Sequence, residues 1–101
     1  DEKINIYNNL SLITYKLEDY INSLHYADLA NNIDNTNIKT IFRLANIHFK
    51  LSNYEVAIYF CNFLLEKDNN NLNIKKLLKD SKVKKKMDHE KSKNMFKKMF
   101  V

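Results

Sequence analysis

Three polar side chains of this sequence have the types and the spacing needed to hold a carboxylate. Lys39 and Arg43 are four residues apart, so on a helix both side chains project from the same face. Asn9 precedes Arg43 by 34 residues. An ammonium, a guanidinium and a carboxamide that converge on one groove would form charge-assisted hydrogen bonds with a free carboxylate. Their convergence requires a fold that repeats with the same period.

The sequence does repeat itself with a period of 34 residues. Residues 4–37 superpose on residues 38–71 with nine identities. The identical residues of the first copy are Ile4, Leu10, Ile13, Lys16, Leu17, Tyr20, Asp34, Asn35 and Asn37. Apolar residues recur at intervals of three and four, which predicts two helices per copy, over about 3–16 and 19–33 in the first. Because such a helix pair cannot bury its apolar face alone, the copies should stack.

The composition favours an all-α protein and excludes several classes. The 101 residues are 45% hydrophobic and 29% charged, and they include neither glycine nor proline. Hairpin turns, phosphate-binding loops and nucleophile elbows depend on the backbone freedom of glycine, so β-sandwiches and nucleotide-binding folds are not expected. No apolar run could span a membrane, and a single cysteine, Cys61, fits a reducing compartment. We therefore expect a cytoplasmic protein, with a nuclear location left open.

No constellation typical of an enzyme or a metal site is found in the sequence. His25, His48 and His89 have no cysteine or carboxylate partner at metal-ligand spacing. Cys61 and His48 would lack an oxyanion hole and a third catalytic member. We predict that both are packing residues and that this chain has no enzyme activity, cofactor or metal.

The period and the paired helices resemble the tetratricopeptide repeat. Residues 4–37 and 38–71 are similar to two consecutive repeats. The second helix of each has a tyrosine and, three residues later, a small residue, as in Tyr20 and Ser23. The resemblance implies an all-α fold in which antiparallel helix pairs stack as a right-handed superhelix. It divides the chain into a repeat region, 1–71, and a long basic C-terminal capping helix, 72–101.

The three polar residues resemble the carboxylate clamp of co-chaperones that bind heat shock protein 90. In that family an Asn of one repeat and a Lys and an Arg of the next hold the C-terminal Asp of a Met-Glu-Glu-Val-Asp tail. Asn9, Lys39 and Arg43 match this pattern in type, order and spacing. The implied partner is the tail of heat shock protein 90 or heat shock protein 70. A further Lys and Asn of the family's clamp would lie upstream of Asp1. Alternatively, Lys39 and Arg43 are simply solvent-exposed charges on a generic repeat scaffold whose partner is not a chaperone tail.

The basic charge of the chain lies in its last segment. Residues 75–98 hold eleven lysines and three acids and carry +8, so the remainder of a chain of net charge +5 carries −3. The closing residues resemble the Tyr-Ala-Lys-Met-Phe ending of tetratricopeptide immunophilins of the cyclophilin and FKBP types. They are Phe96, Lys97, Lys98, Met99 and Phe100. The resemblance implies that this segment tunes chaperone binding or binds calmodulin, and that a peptidyl-prolyl isomerase domain lies upstream in the parent protein.

The C-terminal helix is compatible with more than one role. A basic helix with Met and Phe anchors could bind calmodulin, lie on an anionic membrane, or be a solvated extension. Nucleic acid is not expected, because arginine and stacking aromatic residues are missing among the lysines. We expect Leu72, Leu77, Leu78 and Val83 to cover the flank of the second repeat.

The N-terminal face has no predicted cover in this sequence. Without a preceding repeat, Leu12, Ile21 and Leu24 have no partner surface. A second copy of the chain could cover that face and form a homodimer.

Overall fold

The computed structural model describes residues 1–99, without the side chain of Phe96. Five α-helices follow one another without a strand in this part of the chain. They are α1 (Glu2–Lys16), α2 (Tyr20–Ile33), α3 (Ile38–Lys50), α4 (Tyr54–Lys67) and α5 (Leu72–Met99). Each helix packs against the next, and α3 also contacts α1 and α5. The prediction of an all-α fold built from adjacent helix pairs is confirmed.

The turns inside the two helix pairs have the same backbone conformation. Glu18 and Ser52, which are 34 residues apart, both have positive φ, 62° and 64°. Asp19 then caps α2, accepting a hydrogen bond from a backbone N–H of its first turn (3.3 Å). Asn53, the equivalent residue before α4, forms no such capping hydrogen bond with its side chain, and its Nδ2 donates to Nδ1 of His48 (3.2 Å).

An aromatic pair closes each of these turns. The rings of Tyr15 and Tyr20 meet edge to face with centroids 5.4 Å apart, and Phe49 and Tyr54 do the same at 5.6 Å. Each pair joins the end of one helix to the start of the next. Edge-to-face contacts stabilise beyond the area they bury, so the pair holds the two helices at a fixed angle.

The helices of the first pair approach closely at two buried serines. Ser11 Oγ donates to the carbonyl oxygen of Ser23 (2.9 Å), and Ser23 Oγ donates to the carbonyl oxygen of Ser11 (2.7 Å). Ala45 and Ala57 stand at the equivalent positions of the second pair and are also buried. Both pairs therefore have small residues where their helices meet, and the reciprocal hydrogen bonds satisfy the two hydroxyls that the first pair buries.

The hydrophobic core is centred on α3. The larger cluster joins α3, α4 and α5 and consists of Ile41, Ala45, Cys61, Leu64, Ile74 and Leu77. The smaller cluster joins α3 to α2 and consists of Ala27, Leu44 and Ile47. The second repeat is thus covered on both sides, by the first repeat and by α5.

The face with which α5 covers this flank differs in part from the predicted one. Leu77 and Leu78 pack against the larger cluster as expected, but Leu72 is 78% exposed and Val83 is 48% exposed. Fully buried Ser81 lies on the packed face, with its Oγ donating to the carbonyl oxygen of Leu77 (2.7 Å). A contacting stripe on a helix advances by three or four residues, and Leu72 and Val83 lie beside that stripe.

The second half of α5 leaves the bundle. Every residue from Lys82 to Met95 is exposed, and the longest dimension of the molecule is 58 Å. Lys85 Nζ lies 3.2 Å from Glu55 Oε1, but both side chains are exposed, so this ion pair contributes little to stability. Among the helices of residues 1–99, none has the length and apolar character required to cross a lipid bilayer.

The exposed N-terminal face also differs in part from the expectation. Ile21 is 69% exposed, as predicted for a residue without a partner surface. Leu12 and Leu24 are half-buried instead, and Leu24 packs against the smaller cluster. The α1–α2 pair therefore partly covers its own apolar side chains.

Candidate carboxylate-binding site

A polar contact fixes the position of α1 against α3. Thr40 Oγ1 donates to Asn8 Oδ1 across the two helices (2.9 Å), and Thr40 is fully buried. Asn37 caps α3 by accepting a hydrogen bond from the Thr40 N–H (3.1 Å). This contact lies next to two predicted site residues, because Asn8 precedes Asn9 and Thr40 follows Lys39. Sequence reasoning missed it, since the repeat alignment pairs neither residue with one of its own type.

Arg43 is held against the first helix pair. Its Cζ lies 6.0 Å from the centroid of the Tyr15 ring, at the outer range of a cation–π contact. The side chain is half-buried, and its Nε is fully buried without a hydrogen-bond partner among the described residues. An unpaired buried donor costs about 1–3 kcal/mol. The guanidinium therefore has hydrogen-bonding capacity that this part of the chain does not use.

Burial of this contact shifts the pKa of both partners. Desolvation lowers the pKa of the Arg43 guanidinium, and the neighbouring Tyr15 opposes that shift. Desolvation likewise raises the pKa of Tyr15, Tyr20 adds to the rise, and Arg43 opposes it. Arginine stays protonated at neutral pH despite such shifts, so α3 presents a weakly hydrated cation beside α1.

Asn9 and Lys39 are exposed on α1 and α3 respectively. Neither side chain forms a hydrogen bond or an ion pair within residues 1–99, and the same is true of Arg43. The structure thus places Lys39 and Arg43 one turn apart on α3 and brings Arg43 against α1. That Asn9, Lys39 and Arg43 bind one carboxylate together stays a prediction.

The helical arrangement has a counterpart among solved structures. It is similar to the Hsp90 co-chaperone Cns1 from Saccharomyces cerevisiae (delta69), with a TM-score of 0.78 and 20% sequence identity. The fold is of the tetratricopeptide type. The match covers 96% of this chain and 31% of that chain, so this chain spans about a third of the length of Cns1. No known protein family and no curated protein matches the sequence.

The tetratricopeptide arrangement gives each helix a defined place. α1 and α3 are the first helices of the two repeats, and α2 and α4 are the second helices. Asn9, Lys39 and Arg43 are all carried by first helices. Tyr15, which the sequence pattern did not assign to the site, lies in the last turn of α1, and its ring faces Arg43.

The histidine and cysteine of the core have structural surroundings. His48 is half-buried and stacks on Phe60 with ring centroids 6.0 Å apart. Cys61 is fully buried, and burial raises the pKa of its thiol to about 11, which suppresses the reactive thiolate. No cluster of three potential metal ligands occurs in the described part of the chain.

The predicted C-terminal motif is described only in part. Lys97, Lys98 and Met99 are exposed at the end of α5. The side chain of Phe96 and the whole of Phe100 lie outside the described residues. The functional assignment of this motif therefore stays a prediction.

Proposed function

We propose that this chain is a co-chaperone interaction module that binds the free C-terminal carboxylate of an acidic peptide. The peptide would be of the Met-Glu-Glu-Val-Asp type, as at the end of heat shock protein 90. The observation that supports this most directly is Arg43, which lies against Tyr15 of the neighbouring repeat with a guanidinium that forms no hydrogen bond within residues 1–99. The structural neighbour, itself described as an Hsp90 co-chaperone, agrees with this class of partner.

The residues present supply complementary chemistry for such a chain end. The guanidinium of Arg43 and the ammonium of Lys39 provide two cations one helical turn apart, and the Asn9 amide provides a neutral donor. A hydrogen bond to a charged group contributes about 1.5–3 kcal/mol. Loss of Arg43 should therefore weaken peptide binding by about 10- to 150-fold.

Calorimetric titration with two forms of one peptide tests this function. The chain is expected to bind Met-Glu-Glu-Val-Asp with a free carboxylate and to lose that binding when the C-terminus is amidated. Arg43→Ala and Lys39→Ala should each weaken binding, because each removes one cation. Lys67→Ala is the matched control, since it removes an exposed lysine from α4, the second helix of its repeat.

Two results would contradict the proposal. One is equal affinity for the free and amidated peptides, which would show that the carboxylate is not recognised. The other is an affinity of Arg43→Ala no lower than that of Lys67→Ala. In a longer form of the protein with a preceding repeat, the substitutions at Lys39 and Arg43 are expected to abolish binding.

The finer implications of the family resemblance stay predictions. They are an upstream isomerase domain of the cyclophilin or FKBP type, a cytoplasmic location, and calmodulin or membrane binding by the basic helix. The exposed lysines of α5 are compatible with an acidic partner, but they equally fit a solvated helix. The carboxylate site is favoured because its half-buried guanidinium is held between two helices, whereas the lysines of α5 beyond Ser81 are all exposed.

A further inference from the structure

Arg43 lies against the ring of Tyr15, which in turn meets the ring of Tyr20, and we call these two rings the aromatic platform. The two rings meet edge to face at 5.4 Å with an interplanar angle of 65°, and the guanidinium carbon lies 6.0 Å from the centroid of Tyr15. Both tyrosines are half-buried, and they flank the turn between α1 and α2. Tyr15 therefore contacts both Tyr20 and the guanidinium of Arg43.

The second repeat provides an internal comparison for this platform. Phe49 and Tyr54 form the equivalent pair, with centroids 5.6 Å apart and an interplanar angle of 64°. Within residues 1–99 no lysine or arginine lies over either of these rings, since the other cation–π contact joins Lys67 to Phe63. Both turns thus have an aromatic pair, but among the described residues only the first pair contacts a guanidinium.

The orientation of the guanidinium follows from its burial. Nε of Arg43 is fully buried, whereas Nη1 and Nη2 are not fully buried and form no hydrogen bond within residues 1–99. An arginine side chain has several rotatable bonds, and ordering it on binding has an entropic cost. A ring that already orders the side chain removes part of that cost, which is preorganisation.

We infer that Tyr15 is a positioning residue of the carboxylate site. This inference rests on the proposed function. The Tyr15 ring holds the Arg43 guanidinium between the two repeats, so that Nη1 and Nη2 can bind the partner's carboxylate. The attraction comes from the face of the aromatic ring, so phenylalanine should replace tyrosine and leucine should not.

Chemical modification of Arg43 tests the platform without any peptide. Arg43 is the only arginine of the chain, so modification by phenylglyoxal, followed by mass spectrometry, reports on this residue alone. The modification rate is expected to rise several-fold in Tyr15→Leu, because the guanidinium gains freedom and solvent. It should stay at the wild-type rate in Tyr15→Phe and in Phe49→Leu, the matched substitution in the second repeat.

Peptide titration of the same variants provides the functional readout. Tyr15→Leu should lower the affinity for Met-Glu-Glu-Val-Asp about two- to fivefold, the equivalent of one cation–π contact, and Tyr15→Phe should restore it. A Tyr15→Leu variant with unchanged rate and affinity, or one matched in both by Phe49→Leu, would overturn the inference. If the wild-type chain binds no peptide, the proposed function fails, and the modification rates still decide the role of Tyr15.

A measurement on the wild-type chain covers the case in which Tyr15→Leu does not fold. The Nε–H resonance of the single arginine is identifiable in a proton–nitrogen spectrum. Nuclear Overhauser contacts between this side chain and the Tyr15 ring are expected. Their absence would overturn the inference.

Discussion

His48 shows how burial alters a titratable side chain without making it catalytic. Its ring stacks on Phe60 at 6.0 Å, and its Nδ1 accepts a hydrogen bond from Asn53 Nδ2 (3.2 Å). Desolvation lowers the pKa of His48 below its ordinary 6.5, and the charge of Asp28 opposes that shift. Protonation would also place a proton on the accepting Nδ1. The folded state therefore favours the neutral ring.

The free energy of unfolding should consequently fall as the pH drops below about 6.5. Since the folded pKa is depressed, the unfolded chain takes up the proton first, and stability is retained above that pH and lost below it. Urea unfolding at about pH 8 and about pH 5.5 measures the difference. His48→Gln should reduce the dependence, whereas His25→Gln, at an exposed position of α2, should keep it. The same pH dependence in His48→Gln as in wild type would contradict this assignment.

At the scale of the helix pair, the turns adopt a left-handed backbone without glycine. Glu18 and Ser52 have φ of 62° and 64°, although a side chain makes this region unfavourable by about 1–2 kcal/mol. Each positive φ belongs to a local helix end of the Schellman type, because the next residue donates its N–H to a carbonyl of the last helical turn, Asp19 to Thr14 (2.9 Å) and Asn53 to His48 (2.8 Å).

Glycine at these two positions is therefore expected to stabilise the protein. Glu18→Gly and Ser52→Gly should each raise the free energy of unfolding by about 0.5–1 kcal/mol, the steric relief less the added entropy of the unfolded chain. Asn62→Gly, at an exposed site inside α4, should lower it by a similar amount. Urea denaturation compares the three variants, and a loss of stability on both turn substitutions would show that the positive φ carries no strain.

Across the whole molecule, the first helix of the second repeat is buried by its neighbours, whereas the equivalent surface of the first repeat is exposed. Ile6 and Ile13 on α1 and Leu17 directly after it are 55%, 55% and 74% exposed. Their equivalents in the second repeat include Thr40 and Ile47, which are fully buried because the first repeat packs on them. The α1 face thus has the apolar character of an interface that nothing in the described part of this chain covers.

Self-association through this face is the expected consequence in solution. Light scattering should give a mass above that of the monomer at high protein concentration, and Ile13→Lys should shift it towards the monomer. Val83→Lys, a matched change at a partly exposed position of α5, should have no such effect. A monomer mass at every concentration would exclude pairing through the N-terminal face.

Local information was sufficient for the helices and their pairing, but not for the side-chain contacts across them. The predicted helices over about 3–16 and 19–33 correspond to Glu2–Lys16 and Tyr20–Ile33, because apolar spacing and turn residues act within a few positions. Lys39 and Arg43 could be placed on one helix for the same reason. The contact of Arg43 with Tyr15 could not be predicted, since it depends on how two repeats are offset in space.

By itself, the sequence determined an all-α chain, a 34-residue structural period and a basic terminal segment, because composition and periodicity bias the backbone locally. Only the tertiary structure decided which face of α5 packs, that Asn8 and Thr40 join α1 to α3, and that Arg43 lies on an aromatic ring. These features depend on the distances between helices. Such distances are fixed by close packing of the whole core, in which each side chain is constrained by residues far away in the sequence.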